Sequence, residues 1–157
     1  MREFGKMNRV RRMFVPALFL ALLAHGSLSI AGAPEITVTE QRAVLSPMIV
    51  GAGAAFMKIV NAGSGDDILA SARTDMPGAI VELHYFEDGK MTQRKNFPIP
   101  AKSTVVLRPG DLHIMFFKLP KSVKEGTSFS LTLVFEKSGE MNIPLHFTTP
   151  SHPSSHQ

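Results

Sequence analysis

Phe129, Leu131, Leu133 and Phe135 take every second position of one segment, and Met141, Ile143, Leu145 and Phe147 do the same a few residues later. Successive side chains of a strand point to opposite faces, so this spacing buries one face of each segment and excludes a helix, whose faces recur every 3.6 residues or so. Lys137-Ser138-Gly139-Glu140 turns the first segment into the second. Residues 54–60, 68–74, 79–86, 91–96, 104–107 and 112–117 also read as short strands rich in Val, Ile, Leu, Phe and Thr. Between them lie turn-forming stretches: 61–67, Met76-Pro77-Gly78, Glu87-Asp88-Gly89-Lys90 and Arg108-Pro109-Gly110-Asp111. Asp88-Gly89 is a hairpin signal. Residues 97–102 contain Pro98 and Pro100, which remove ladder donors and keep this stretch out of a central strand. No segment beyond residue 31 sustains a helical period, there is no internal repeat, and the expectation is one all-β domain, a Greek-key barrel or sandwich.

The N-terminal residues read differently. Arg2, Lys6, Arg9, Arg11 and Arg12 precede an apolar run over 13–23, and Ser27, Ser29, Ala31, Gly32 and Ala33 follow. A basic start, a short apolar run and small residues form the pattern of a secretory signal peptide. The run is shorter than the roughly 20 residues a spanning helix needs, and His25 and Gly26 interrupt it. Cleavage is expected after Ala31; the alternative, after Ala33, would leave Pro34 first. The expected organisation is a signal peptide over 1–31, a β domain over 34–148 and a disordered Pro/Ser/His-rich tail over 149–157, in a periplasmic protein. Five of the 17 Lys and Arg but one of the 13 Asp and Glu lie in residues 1–31, leaving 12 of each charge beyond the leader. The high overall pI is therefore no sign of nucleic-acid or membrane binding, and neither partner is expected after cleavage.

The chain has no cysteine. Disulfides, thiolate metal sites, thiol catalysis and a blue-copper centre are thereby excluded, and none of these residues can carry a cysteine-linked lipid. The sequence also has no GxSxG, P-loop, HExxH or dinucleotide fingerprint. Asp66 with Asp67, and Glu87 with Asp88, fall in turns and read as solvated carboxylates.

Histidine and methionine carry the remaining chemical interest, because imidazole and thioether together suit copper, and thioether favours the soft Cu(I) ion. In Val81-Glu82-Leu83-His84 the apolar side chains alternate with Glu82 and His84, so His84 points away from the core. His113 and Met115 share one face of their strand, opposite Leu112, Ile114 and Phe116. Met91 begins the arm returning beside His84. Met57 and Met141 read as core packing; Met48 and Met76 have no evident partner; His146 reads as exposed; His152 and His156 lie on the tail.

These residues and their surroundings resemble the periplasmic copper chaperones of the PCu(A)C family, whose fingerprint is His or Met, ten residues, Met, 21 residues, then His-x-Met. Here Met91 is followed after 21 residues by His113-Ile114-Met115, and His84 ends the stretch VELH. Ile99-Pro100-Ala101, RPGDLHIM over 108–115 and KEGTSFSLTLVFEKSGE over 124–140 extend the likeness across about 34–148. One departure stands out: six residues, not ten, separate His84 from Met91. A deletion of four is even, so both hairpin arms can keep their facing.

The resemblance implies a cupredoxin-like barrel holding one Cu(I) near its surface through His84, Met91, His113 and Met115. It implies a metallochaperone rather than an enzyme, with the copper A subunit of cytochrome oxidase or another copper chaperone as partner. Two other functions fit the sequence: periplasmic copper buffering or resistance, and a metal-free β-sandwich binding module.

Overall fold

The computed structural model describes residues 32–149. The expected signal peptide and the tail beyond residue 149 lie outside the described residues. Ten strands follow one another: β1 (Ile36–Leu45), β2 (Gly53–Asn61), β3 (Asp67–Thr74), β4 (Ile80–Glu87), β5 (Lys90–Arg94), β6 (Phe97–Ile99), β7 (Ser103–Leu107), β8 (His113–Phe117), β9 (Ser128–Phe135) and β10 (Gly139–Thr148). Their order is β5-β4-β8-β2-β1-β10-β9-β3-β6, with β7 pairing β2 beyond the end of β8. All pairs are antiparallel except β1 with β10, which run parallel through Ala43 opposite Phe147 and Val44 opposite Thr148. The sheet rolls up until β3 lies beside β4 and β6 beside β7, giving a nearly closed, cupredoxin-like all-β barrel.

The alternating segments fold as their pattern requires. Phe129, Leu131, Leu133 and Phe135 of β9 are buried while the residues between them are half-buried, and Ile143, Leu145 and Phe147 of β10 are buried. Phe129 stacks on Phe147 at 4.6 Å between ring centroids, and Phe116 meets both rings edge-on at 5.4 and 5.6 Å. This aromatic cluster, with Met57, Ile59, Leu69, Phe97, Ile114 and Leu131, fills the barrel. β6, with Pro98 at its centre, is a three-residue edge strand paired only to β3.

Two features depart from the sequence reading. β1 is a central strand that hydrophobic patterning does not mark: five of its ten residues are exposed in a row or nearly so, and its pairing with β2 is broken by a bulge between Thr39 and Arg42, where Glu40 adopts φ 53°. Asp67, read as a solvated turn residue, is 1 % exposed. Its carboxylate accepts hydrogen bonds from the backbone N–H groups of Ile68, Lys137 and Ser138 and from the Ser138 hydroxyl, at 2.6 to 2.9 Å. Burial alone would raise its pKa, but these four donors outweigh it and hold the carboxyl below the ordinary aspartate value. Asp67 thereby ties the start of β3 to the β9–β10 turn. Asn61, across the β2–β3 loop at the same end of the barrel, does similar work. Its amide accepts from the N–H of Glu35 and Gly63 and donates to the carbonyls of Gly65 and Ile99.

Candidate metal centre

Register brings the histidines together. On β4, Leu83 points into the barrel and Glu82, His84 and Phe86 point out. His84 pairs with His113 of β8, Glu82 with Met115, and Phe86 with Met91 of β5. Side chains of directly paired residues lie on the same face. The barrel's outer face therefore carries His84, Met91, His113 and Met115 together, from three adjacent strands. The Asp88-Gly89 turn sets this: its residues have φ 52° and 76°, the two positive values a two-residue type I′ hairpin needs, and Glu87 pairs with Lys90 across it. The shortened spacer leaves Met91 on the same face as His84, as an even deletion allows.

The face lies at the barrel's surface, but three of its four candidate side chains are covered. His84, His113 and Met115 are only 8, 6 and 6 % exposed, and Met91 alone, at 43 %, is open to solvent. Aromatic side chains roof the face: the Phe56 ring lies 6.3 Å from that of His113, and Phe117 lies 5.8 Å from that of His84, with the two imidazoles 6.0 Å apart. Phe56, Phe86, Met91, His113, Met115 and the Pro109-Gly110 turn line a largely apolar depression of about 200 Å³. Phe56 comes from β2, which meets β8 through Ala54 opposite Met115 and Ala55 opposite Ile114. Nothing in local sequence marks Phe56 as a neighbour of His113, because only the strand order brings β2 there.

The protonation of each ring follows from its partners. His113 Nδ1 lies 2.7 Å from the carbonyl oxygen of Asp111, which can only accept, so Nδ1 carries the proton. Burial, followed by the nearby His84, holds this imidazole below the usual histidine pKa against the opposing pull of Asp111, so the ring is neutral at pH 7. Its Nε2 is then a bare lone pair, and it faces Met91 Sδ at 3.2 Å. A thioether has no hydrogen to offer, so in this tautomer two lone-pair donors face each other, an arrangement that a soft cation would satisfy. His84 Nε2 lies 2.8 Å from Glu82 Oε2, and its Nδ1 is buried with no hydrogen-bond partner. A buried polar atom left unpartnered is costly, which makes His84 Nδ1, on the same face as His113, a candidate ligand atom.

The donor set fits a soft monovalent ion: two imidazoles and two thioethers, with no hard oxygen among the four. Among the described residues no group of three or more His, Cys, Asp or Glu side chains could hold a metal ion, so methionine sulfur would have to complete any centre here. The other candidates stand apart. Met57 is in the core and Met141 packs against it, as read; Met76 also packs against the core; Met48 is 87 % exposed on the β1–β2 loop; His146 is exposed on β10. Glu82 and the Asp111 carbonyl are the polar partners that sequence reading passed over. Each lies two residues before its histidine, a spacing that alternation could have flagged for Glu82.

A family model described as "Putative lipoprotein LpqE-like" matches residues 36–146. "Putative lipoprotein Lxx21020" of Leifsonia xyli subsp. xyli (strain CTCB07) is 37% identical over 90 residues, 54% of this chain and 54% of that protein. The chain thus spans about half the length of the curated relative it matches. Among solved structures, the copper-bound PCuAC domain from PmoF2 superposes with a TM-score of 0.62 at 23% identity, over 73% of this chain and 93% of that domain. The solution structure of CuI-DR1885 from Deinococcus radiodurans gives 0.59 at 23% identity, over 72% of this chain and 79% of the other. At these identities the likeness is one of fold.

Proposed function

The chain belongs to the LpqE-like family, and from that membership together with the His/Met face of its barrel we propose that it is an exported Cu(I)-binding metallochaperone. The observation that carries this reading is the bare His113 Nε2 facing Met91 Sδ at 3.2 Å, with Met115 in the same depression and His84 beside it. Cu(I) is the cargo, and His84, Met91, His113 and Met115 are its ligands. Two solved domains with this fold are named as copper-bound and CuI forms, which supports copper as the ion.

The ligands are all neutral, so the bound ion keeps its positive charge in a partly desolvated pocket. Thioethers favour the reduced ion without the grip of a thiolate, which suits a protein that must give its metal up. Met91 is the outermost ligand and the one water reaches, so exchange with an acceptor's ligand begins there, while the roofed His113 and Met115 are released last.

The finer reading is a periplasmic carrier that supplies the copper A centre of a cytochrome oxidase after removal of a signal peptide over 1–31, with the domain over 34–148 followed by a tail over 149–157. The relatives' names speak of lipoproteins, but none of these 157 residues is a cysteine.

Anaerobic titration of the chain with Cu(I) against a coloured chelator tests the binding step. One tight equivalent, lost in His113→Ala and in Met115→Leu, is the expected result; no retention by the parent chain would remove the chaperone reading. Deleting the gene tests the finer role. Failure of oxidase assembly at limiting copper supports delivery, whereas normal assembly with sensitivity to excess copper moves the role to buffering.

A further inference from the structure

We propose that Glu82 is a positioning residue for the cargo ion: by accepting the Nε2–H of His84 it fixes that ring with Nδ1 as its ligand atom, while His113 binds through Nε2. This rests on the copper reading above for the identity of the ion, but its structural premise does not.

Glu82 Oε2 lies 2.8 Å from His84 Nε2. An ionised carboxylate can only accept, so in the neutral ring the proton sits on Nε2 and the lone pair on Nδ1. That nitrogen is the one buried side-chain N or O among the described residues that lacks a hydrogen-bond partner. A ligand that takes up its lone pair removes the cost of leaving it bare. Coordination through Nε2 would instead require moving the proton to Nδ1, which breaks a charge-assisted hydrogen bond and leaves a buried N–H without an acceptor.

His113 is arranged the opposite way. Its Nδ1 donates to the Asp111 carbonyl at 2.7 Å and its Nε2 is left facing Met91. In both cases the group that holds the proton sits two residues upstream, and the two histidines face each other across β4 and β8. The two rings thus present different nitrogens to one ion. The partners differ in kind as well. Asp111 offers a neutral carbonyl, whereas Glu82 offers a negative charge beside a site whose four ligands are neutral. A carboxylate behind a ligating imidazole raises its basicity and fixes its orientation, and losing such a partner typically weakens metal binding about 10- to 100-fold. The Glu82 side chain is 29 % exposed and that of His84 10 %, so substitutions at Glu82 remove the partner without opening the core.

Long-range ¹H–¹⁵N correlation spectra of the chain, first metal-free and then with one equivalent of Cu(I) under anaerobic conditions, read the ring nitrogens directly. The expected result is a protonated Nε2 and bare Nδ1 in metal-free His84, the reverse in His113, and copper-induced shifts at Nδ1 of His84 and Nε2 of His113. Glu82→Gln keeps an acceptor but not the charge, so it should keep the tautomer and bind Cu(I) about 10-fold more weakly. Glu82→Leu removes both and should mix the tautomers and weaken binding by nearer 100-fold. A protonated Nδ1 in metal-free His84, a copper shift at its Nε2, or unchanged affinity in Glu82→Leu overturns the assignment. Should either variant fail to fold, the spectra of the parent chain decide alone. A chain with the expected tautomers that takes up no Cu(I) overturns the copper reading and Glu82's role toward copper with it; wrong tautomers overturn the Glu82 assignment only.

Discussion

Met91 and Met115 make the same proposed bond from very different surroundings, and this separates binding from folding. Met91 is 43 % exposed and Met115 6 %. Met91→Leu should change stability by less than about 0.5 kcal/mol, as exposed substitutions usually do. Met115→Leu should cost less than about 1.5 kcal/mol, as volume-conserving core exchanges do. Both should weaken Cu(I) binding, because leucine keeps the volume and loses the sulfur. Thermal unfolding alongside competition titration checks the pair; a leucine variant that binds as the parent does would remove that methionine from the ligand set. Asp67 is the residue whose charge the fold uses. Its carboxyl is held below the ordinary aspartate value, so its contribution is complete above that value and is lost as pH falls through the lowered one. Asp67→Asn should cost about 1–3 kcal/mol at pH 7 through loss of the charged acceptor. The gap between variant and parent should narrow in acid, and denaturant unfolding at pH 7 and pH 3 reads both. A gap that widened as pH fell would contradict this account of Asp67.

Among the elements, the β4–β5 hairpin decides where Met91 sits. Gly89 has φ 76°, and an added Cβ would meet nothing within 4 Å, so a side chain there costs only backbone strain. Gly89→Val should cost about 1–3 kcal/mol by that strain and, by loosening the turn, weaken Cu(I) binding through Met91. Asp88→Gly should leave both nearly intact, and titration of the two variants side by side makes the comparison. β9 and β10 were legible from sequence because one face is buried along their whole length, so alternation is written into them. β1 was not, because its outer face is exposed, Glu40 breaks the strand's regular backbone, and most of its contribution is backbone pairing with β2 and β10. The facing of His84, His113 and Met115 was also legible from alternation. Their burial was not, since Phe56 and Phe117 reach over them by a strand order that no local pattern encodes.

At the scale of the whole molecule, the barrel separates a packed apolar interior from the outer face that carries the four candidate ligands. The resemblance read from the sequence holds at the level of fold, in the match to PCuAC domains, while the family model that matches is the LpqE-like one. The core is filled by aliphatic, phenyl and Met57 side chains, and the candidate ligands stand on the outer side of the barrel, so that face can vary without unmaking the core. The central claim is that this face holds Cu(I) with both nitrogen and sulfur. X-ray absorption at the copper edge of the Cu(I)-loaded chain tests it most directly. The account predicts a mixed first shell of imidazole nitrogen and thioether sulfur, with the sulfur contribution reduced in Met91→Leu and again in Met115→Leu. A shell of nitrogen and oxygen alone, or a sulfur contribution unchanged in both variants, would contradict it.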